Sequence, residues 1–183
     1  PCPPDRALWG APAAGDTRRM SREEATDPAS RALGAQLVAG ARAAGQRRAL
    51  VLAGGTAWTR ATASALLAGA GMTAVLWVGD APTDGNGEAV DPERATDHLG
   101  QEWPAVVYDL RAGVDADALG AVAGTVAAGG LLLLLGPPLA DWPTFPDPQR
   151  QRITVDPWPP EAVGGRFLRR LADLIAADPA TPV

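Results

Sequence analysis

Apolar residues along this chain gather into short unbroken runs, separated by stretches in which they return every three or four positions. The runs are Ala49 to Ala53, Ala74 to Val78, Val106 to Tyr108 and Leu131 to Leu135. None alternates with polar residues, so each reads as a strand covered on both faces, the condition of a parallel sheet. Helical patterns lie between them. Leu33, Leu37, Ala41 and Ala44 mark one face of a helix that Asp27 caps, with Pro28 in its first turn and Gly45 at its end. After the turn Gly54-Gly55-Thr56, Ala57 to Ala70 form a second helix with Trp58, Ala61 and Ala65 on its inner side. Asp115 caps a third, in which Leu119, Val122 and Val126 recur and Gly129-Gly130 supply the stop. A closing helix from Glu161 to Ala177 carries the stripe Phe167, Leu168, Leu171, Leu174 and Ile175, with Arg166, Arg169 and Arg170 toward solvent.

Four or five strands alternating with helices define an open, mainly parallel, doubly wound α/β sheet, a Rossmann-like three-layer sandwich. Ala81 to Asp97 is polar and rich in Gly and Asp, so it reads as a surface loop with one helical turn, and Ile153 to Val155 reads as an edge strand. Residues 1–26 show no periodicity, and Met20 opens MSREEATDP in the manner of a natural start. They are read as a disordered or appended tail. Residues 27–178 form the single domain, and 179–183 a tail or the start of a linker.

Composition narrows the function classes. A chain of 183 residues with 46% hydrophobic content supports one domain with a real core. Its net charge of −5 comes from 21 acidic and 16 basic residues, and every basic residue is Arg. Without Lys there is no Walker phosphate loop. The acidic balance argues against this domain alone gripping a nucleic-acid backbone, which depends on clustered cations. Cys2 is the only cysteine, so neither an internal disulfide nor a cysteine-based metal site is available. No apolar stretch has membrane-spanning length and Pro1 to Gly15 lacks a signal-peptide core, so a cytoplasmic, soluble protein is expected.

In a doubly wound sheet, ligands bind beyond the carboxyl ends of the strands. Those ends carry Gly54-Gly55-Thr56, Gly79-Asp80, Asp109 and Gly136-Pro137. The first is a candidate anion loop, since its glycines permit close approach and Thr56 opens a helix. A tight turn capped by Thr56 explains the same residues. Asp80 and Asp109 occupy the positions of the cofactor-facing acids of methyltransferases that use S-adenosylmethionine, an alternative function for a stand-alone domain; strand-end Asp residues also serve as turn formers and caps. His98, the sole histidine, has no nucleophile beside it in sequence, and no G-x-S-x-G elbow is present. Trp142 and Trp158 lie in Pro-rich loops, where they stack on bases, bury against another domain or close this domain's own sheet.

The segments RRALVLAGGTAWTRATASALL, LWVGD, LGQEWPAVVYDLRAGVDADALGAVAGTVAAGGLLLLLGPPLADW and GGRFLRRLADLI together resemble the amino-terminal domain of bacterial tRNA(Met) cytidine acetyltransferases. The resemblance runs from Arg47 to Asp178 and is most specific at Asp109, at Gly124 to Gly130, at Pro137-Pro138 and at Asp141-Trp142. It implies a multidomain enzyme that acetylates the wobble cytidine of elongator methionine tRNA. In that family a helicase-like module driven by ATP or GTP with magnesium, and a module using acetyl-CoA, follow this domain. The resemblance therefore implies a noncatalytic accessory domain with no cofactor of its own, no metal and no catalytic residue. Its partners would be the downstream modules and, through the intact enzyme, tRNA. Trp142, Phe145, Trp158, Arg166 and Arg170 are candidates for the interdomain face; they also serve to complete the domain's own core. A pure interaction module is the remaining alternative.

Overall fold

The computed structural model describes residues 28–81 and 87–183. The expected tail and the Asp27 cap lie outside the described residues. The elements are α1 (Pro28–Ala44), β1 (Arg48–Ala53), α2 (Thr56–Gly69), β2 (Val75–Val78), β3 (Glu88–Val90), β4 (Trp103–Asp109), α3 (Ala116–Thr125), β5 (Val126–Gly136) and α4 (Arg166–Ala177), joined in part by short 3-10 turns. All five strands are parallel, in the order β1-β5-β4-β2-β3. The expected doubly wound α/β sheet is therefore present.

The unbroken apolar runs are explained by the two layers they serve. One side of the sheet presents Leu50, Leu52, Trp77, Val107 and Leu133 to Val38 of α1 and to Ala63, Leu66 and Leu67 of α2. The other presents Val51, Leu76, Val106 and Tyr108 to Val122 of α3, to Leu168 and Ile175 of α4, and to Trp142. Helices α1 and α2 meet backbone to backbone. A Cβ on Gly34 would collide with the Leu66 carbonyl, and one on Gly69 with the Arg31 carbonyl. This contact sets the rotation of α1, whose buried residues are Gly34, Val38 and Ala41, while Leu33 stays exposed.

Four other expectations shift. Trp58 is 44% exposed rather than inward, and Thr59, Ala63, Leu66 and Leu67 join the expected Ala65 on the buried side of α2. Helix α3 ends at Thr125, and Val126 already belongs to β5. Gly129-Gly130 are thus no helix stop. They lie where β5 departs from register with β4, Gly129 having φ +77°, and a Cβ on Gly130 would come 2.6 Å from the Pro104 carbonyl oxygen. Ile153 ends a 3-10 turn, Pro148–Ile153, instead of opening an edge strand, and that edge role falls to β3 inside the expected loop. The closing helix starts at Arg166, after a separate turn over Pro160–Ala162, and a Cβ on Gly165, the residue before it, would collide with the Pro143 carbonyl. Its buried residues are Leu168, Ala172 and Ile175, leaving Phe167 and Leu174 exposed. Among the described residues no helix is long and apolar enough to cross a membrane.

Candidate functional site at the strand carboxyl ends

Connections leave β4 toward β5 and leave β2 toward β3, so the sheet switches direction between β4 and β2. This is where an open α/β sheet ordinarily leaves a crevice for a ligand. Here Arg60 of α2 fills it. Its guanidinium donates to Asp109 Oδ2 from Nε at 3.2 Å and from Nη2 at 2.9 Å, and Nη2 also reaches Asp80 Oδ2 at 3.3 Å. The other oxygen of Asp109 accepts from the Arg111 backbone amide at 3.1 Å and from Arg111 Nη1 at 3.3 Å. Arg111 extends further, donating from Nη1 to Thr59 Oγ1 at 3.3 Å and from Nη2 to the Gly54 carbonyl.

One buried carboxylate, 2% exposed, thereby ties together the ends of β1, β2 and β4. The candidates Gly54, Asp80 and Asp109 do converge, and Arg60 and Arg111 join them. Two arginines against two aspartates make the cluster formally neutral. Burial works against the Arg60 charge, but the hydrogen bonds and charges of Asp109 and then Asp80 outweigh it and raise the guanidinium above its ordinary value. Asp80 itself is 86% exposed.

The first loop is a turn whose cap differs from the expected one. Gly55, with extended backbone, stands at the N-cap of α2 without a side-chain cap, and Thr56 is already helical. The Trp58 ring stands over Gly54, where a Cβ would lie 2.9 Å from it. With both Asp109 oxygens committed to arginines, a nucleoside cofactor would have to displace an ion pair to reach that acid. That geometry speaks against the methyltransferase-type alternative.

A second polar feature escaped the sequence reading. Asp115, Arg150, Arg152, Ile153, Val163 and Phe167 border a cleft of about 310 Å³ beside the start of α3. Asp115 caps α3 as expected, accepting from the Asp117 amide at 2.9 Å and the Ala118 amide at 3.3 Å, and it also pairs with Arg152. Burial pushes its carboxyl up, yet the hydrogen bonds from Arg152, Ala118 and Asp117 prevail and hold the pKa below its ordinary value. A depressed carboxylate stabilises the fold fully above its unfolded pKa of about 3.9, and loses that contribution as pH falls through the lower folded value. Asp115→Ala should therefore cost about 1–2 kcal/mol near neutrality. In thermal melts followed against pH, the gap between variant and parent should close below about pH 4. A constant gap down to strong acid would contradict the assignment.

Next to this cap, the Tyr108 hydroxyl donates to the Gly113 carbonyl at 3.2 Å and accepts from the Asp115 amide at 3.3 Å. Burial pushes its pKa up to about 12, so it stays a neutral structural link. His98 is also buried, its Nδ1 3.0 Å from Gln101 Oε1 and its ring edge-on to Trp103.

Of the interdomain candidates, Trp142 is placed in this domain's own core, where its Nε1 donates to the Pro137 carbonyl at 2.8 Å. It has no face left for another module. Phe145 packs half-buried against the same cluster. Trp158, Arg166 and Arg170 are exposed.

Parallel strands in the order 1-5-4-2-3 with helices on both faces, and strand ends closed by an internal ion network, define a Rossmann-like α/β domain. Comparison with known proteins narrows the class. Residues 28–182 match the family described as tRNA(Met) cytidine acetyltransferase TmcA, N-terminal, and the chain belongs to that family. It is 44% identical over 145 residues to the tRNA(Met) cytidine acetyltransferase TmcA of Nitrosococcus halophilus, covering 79% of this chain and 19% of that protein. The protein of the same name from Yersinia pestis is 39% identical over 138 residues, covering 74% of this chain and 19% of its own length. That from Haloferax volcanii is 44% identical over 90 residues, covering 49% of this chain and 12% of its own length. The chain thus spans about a fifth of the length of the first two of these curated relatives. The resemblance carried by Arg47 to Asp178 is confirmed at the level of the family.

Proposed function

We propose that this chain is the noncatalytic N-terminal accessory domain of an enzyme that acetylates the wobble cytidine of elongator tRNA(Met). The observation that carries the reading is the match of residues 28–182 to the N-terminal family, together with relatives that are named tRNA(Met) cytidine acetyltransferase and of which the match covers 19%. On this reading acetyl-CoA, and ATP or GTP with magnesium, are used by downstream acetyltransferase and helicase-like modules in the cytoplasm. No residue of this chain is assigned to either cofactor. The chain has no Lys, the Gly54 carbonyl is taken by Arg111, and Trp58 covers the loop. Exposed Trp158, Arg166 and Arg170, with half-buried Phe145, are the residues proposed to meet the following modules or help position tRNA.

The test is acetylation of elongator tRNA(Met) by the intact polypeptide carrying this chain, supplied with acetyl-CoA, ATP and magnesium and read by mass spectrometry of the anticodon fragment. The intact polypeptide should acetylate and the 183-residue chain alone should not. Failure of the intact polypeptide, or acetylation by the chain alone, would overturn the proposal.

A further inference from the structure

The two edges of the sheet are unlike. β3 is three residues long, largely exposed and carries Glu88, features that discourage strand addition. β1 runs for six residues, is apolar from Ala49 to Ala53, and keeps regular register with β5 without Pro or bulge. Such an edge ordinarily needs a cover. Its outward groups are identified by alternation. The Gly54 amide donates to the Gly136 carbonyl at 2.9 Å, so even-numbered residues here face β5, and the amides and carbonyls of Ala49, Val51 and Ala53 face outward. Among the described residues one backbone hydrogen bond reaches that side, from the Val51 amide to the Pro182 carbonyl at 3.0 Å.

Residues beyond α4 therefore lie against β1. Leu168, Ala172 and Ile175 of α4 pack in the same cluster as Ala118 and Val122 of α3. The path from β5 through α4 to Pro182 thus repeats the sense of the β4–α3–β5 crossover, one strand further along the sheet. Pro182 suits the first position of a strand, where a missing amide costs nothing.

We infer that the outer edge of β1 seats a sixth parallel strand, formed by the polypeptide that follows Val183; this rests on reading the chain as part of a longer acetyltransferase. Parallel pairing fixes its register. The acceptor of the Val51 amide precedes the residue opposite Val51, so Val183 stands opposite Val51 and its own amide points away. The residue after Val183 then donates to the Val51 carbonyl and accepts from the Ala53 amide.

Residue-resolved hydrogen exchange on the intact polypeptide and on the 183-residue chain tests this. The Ala53 amide should exchange ~100-fold or more slowly in the intact polypeptide. Proline at the position after Val183 should cut that protection ~10-fold or more, while Val183→Pro leaves it in place. Unchanged Ala53 exchange in a polypeptide that acetylates tRNA would overturn the sixth strand alone. Protection that ignores the proline, or that appears in the 183-residue chain only as its concentration rises, would overturn it in favour of another module or a second copy on this edge. An intact mass ending at Val183 would overturn both the strand and the multidomain reading.

Discussion

Replacing Asp109 with alanine is expected to cost about 3 kcal/mol of unfolding free energy, because it strips the shared carboxylate from two arginines that the fold has drawn inward. The side chains of Arg60 and Arg111 are 30% and 17% exposed, so part of the loss is recovered by water, which sets the estimate at the low end for a broken buried pair. The comparison is Asp80→Ala, which removes a carboxylate that is 86% exposed and bonds the same guanidinium. That change should cost no more than about 1 kcal/mol. Urea unfolding of both variants decides the matter. Similar small losses would mean that Asp109 is not the joint between the ends of β1, β2 and β4.

A comparably large loss is expected from Gly34→Val. Its Cβ would enter the space of the Leu66 carbonyl, and neither backbone can retreat without parting α1 from α2. Overpacking of this kind costs about 3 kcal/mol when the obstacle is main chain rather than a movable side chain. Gly40, in the same helix, meets nothing within 4 Å. Gly40→Ala should instead raise stability by about 0.5–1 kcal/mol through helix propensity. Opposite signs from two glycines six positions apart would localise the helix contact; a tolerated Gly34→Val would disprove it.

The fold was legible where burial is two-sided. Leu131 to Leu135 and Val106 to Tyr108 fitted strands covered on both faces, and Asp115 fitted a cap, and the structure places them so. β3 was not legible. Three residues with Glu88 at their head offer no run, and pairing with β2 alone makes them a strand. Gly129-Gly130 misled because a glycine pair after a helix is an equally good stop or bulge until the neighbouring strand is known. Trp58 misled because it was grouped with Ala61 and Ala65 on one side of the helix, whereas α2 is rotated so that Thr59, Ala63, Leu66 and Leu67 turn inward with Ala65.

At the candidate site, the acids were visible as strand-end residues, yet their partners were not. Arg60 looks like an ordinary solvent-facing helix residue, and only the sheet order brings it over the gap between Asp80 and Asp109. The nearest sequence signal was Arg111, two residues after Asp109. Family membership was carried by longer wording, from Arg47 to Asp178, and did not depend on these details.

The ion network closes the strand ends on themselves, and a ligand there would have to break it. Calorimetric titration of the 183-residue chain with S-adenosylmethionine, ATP and acetyl-CoA tests it most directly. No saturable binding of any of the three is expected at millimolar concentration. Saturable binding of one of them that Arg60→Gln abolishes, in a variant that remains folded, would contradict it.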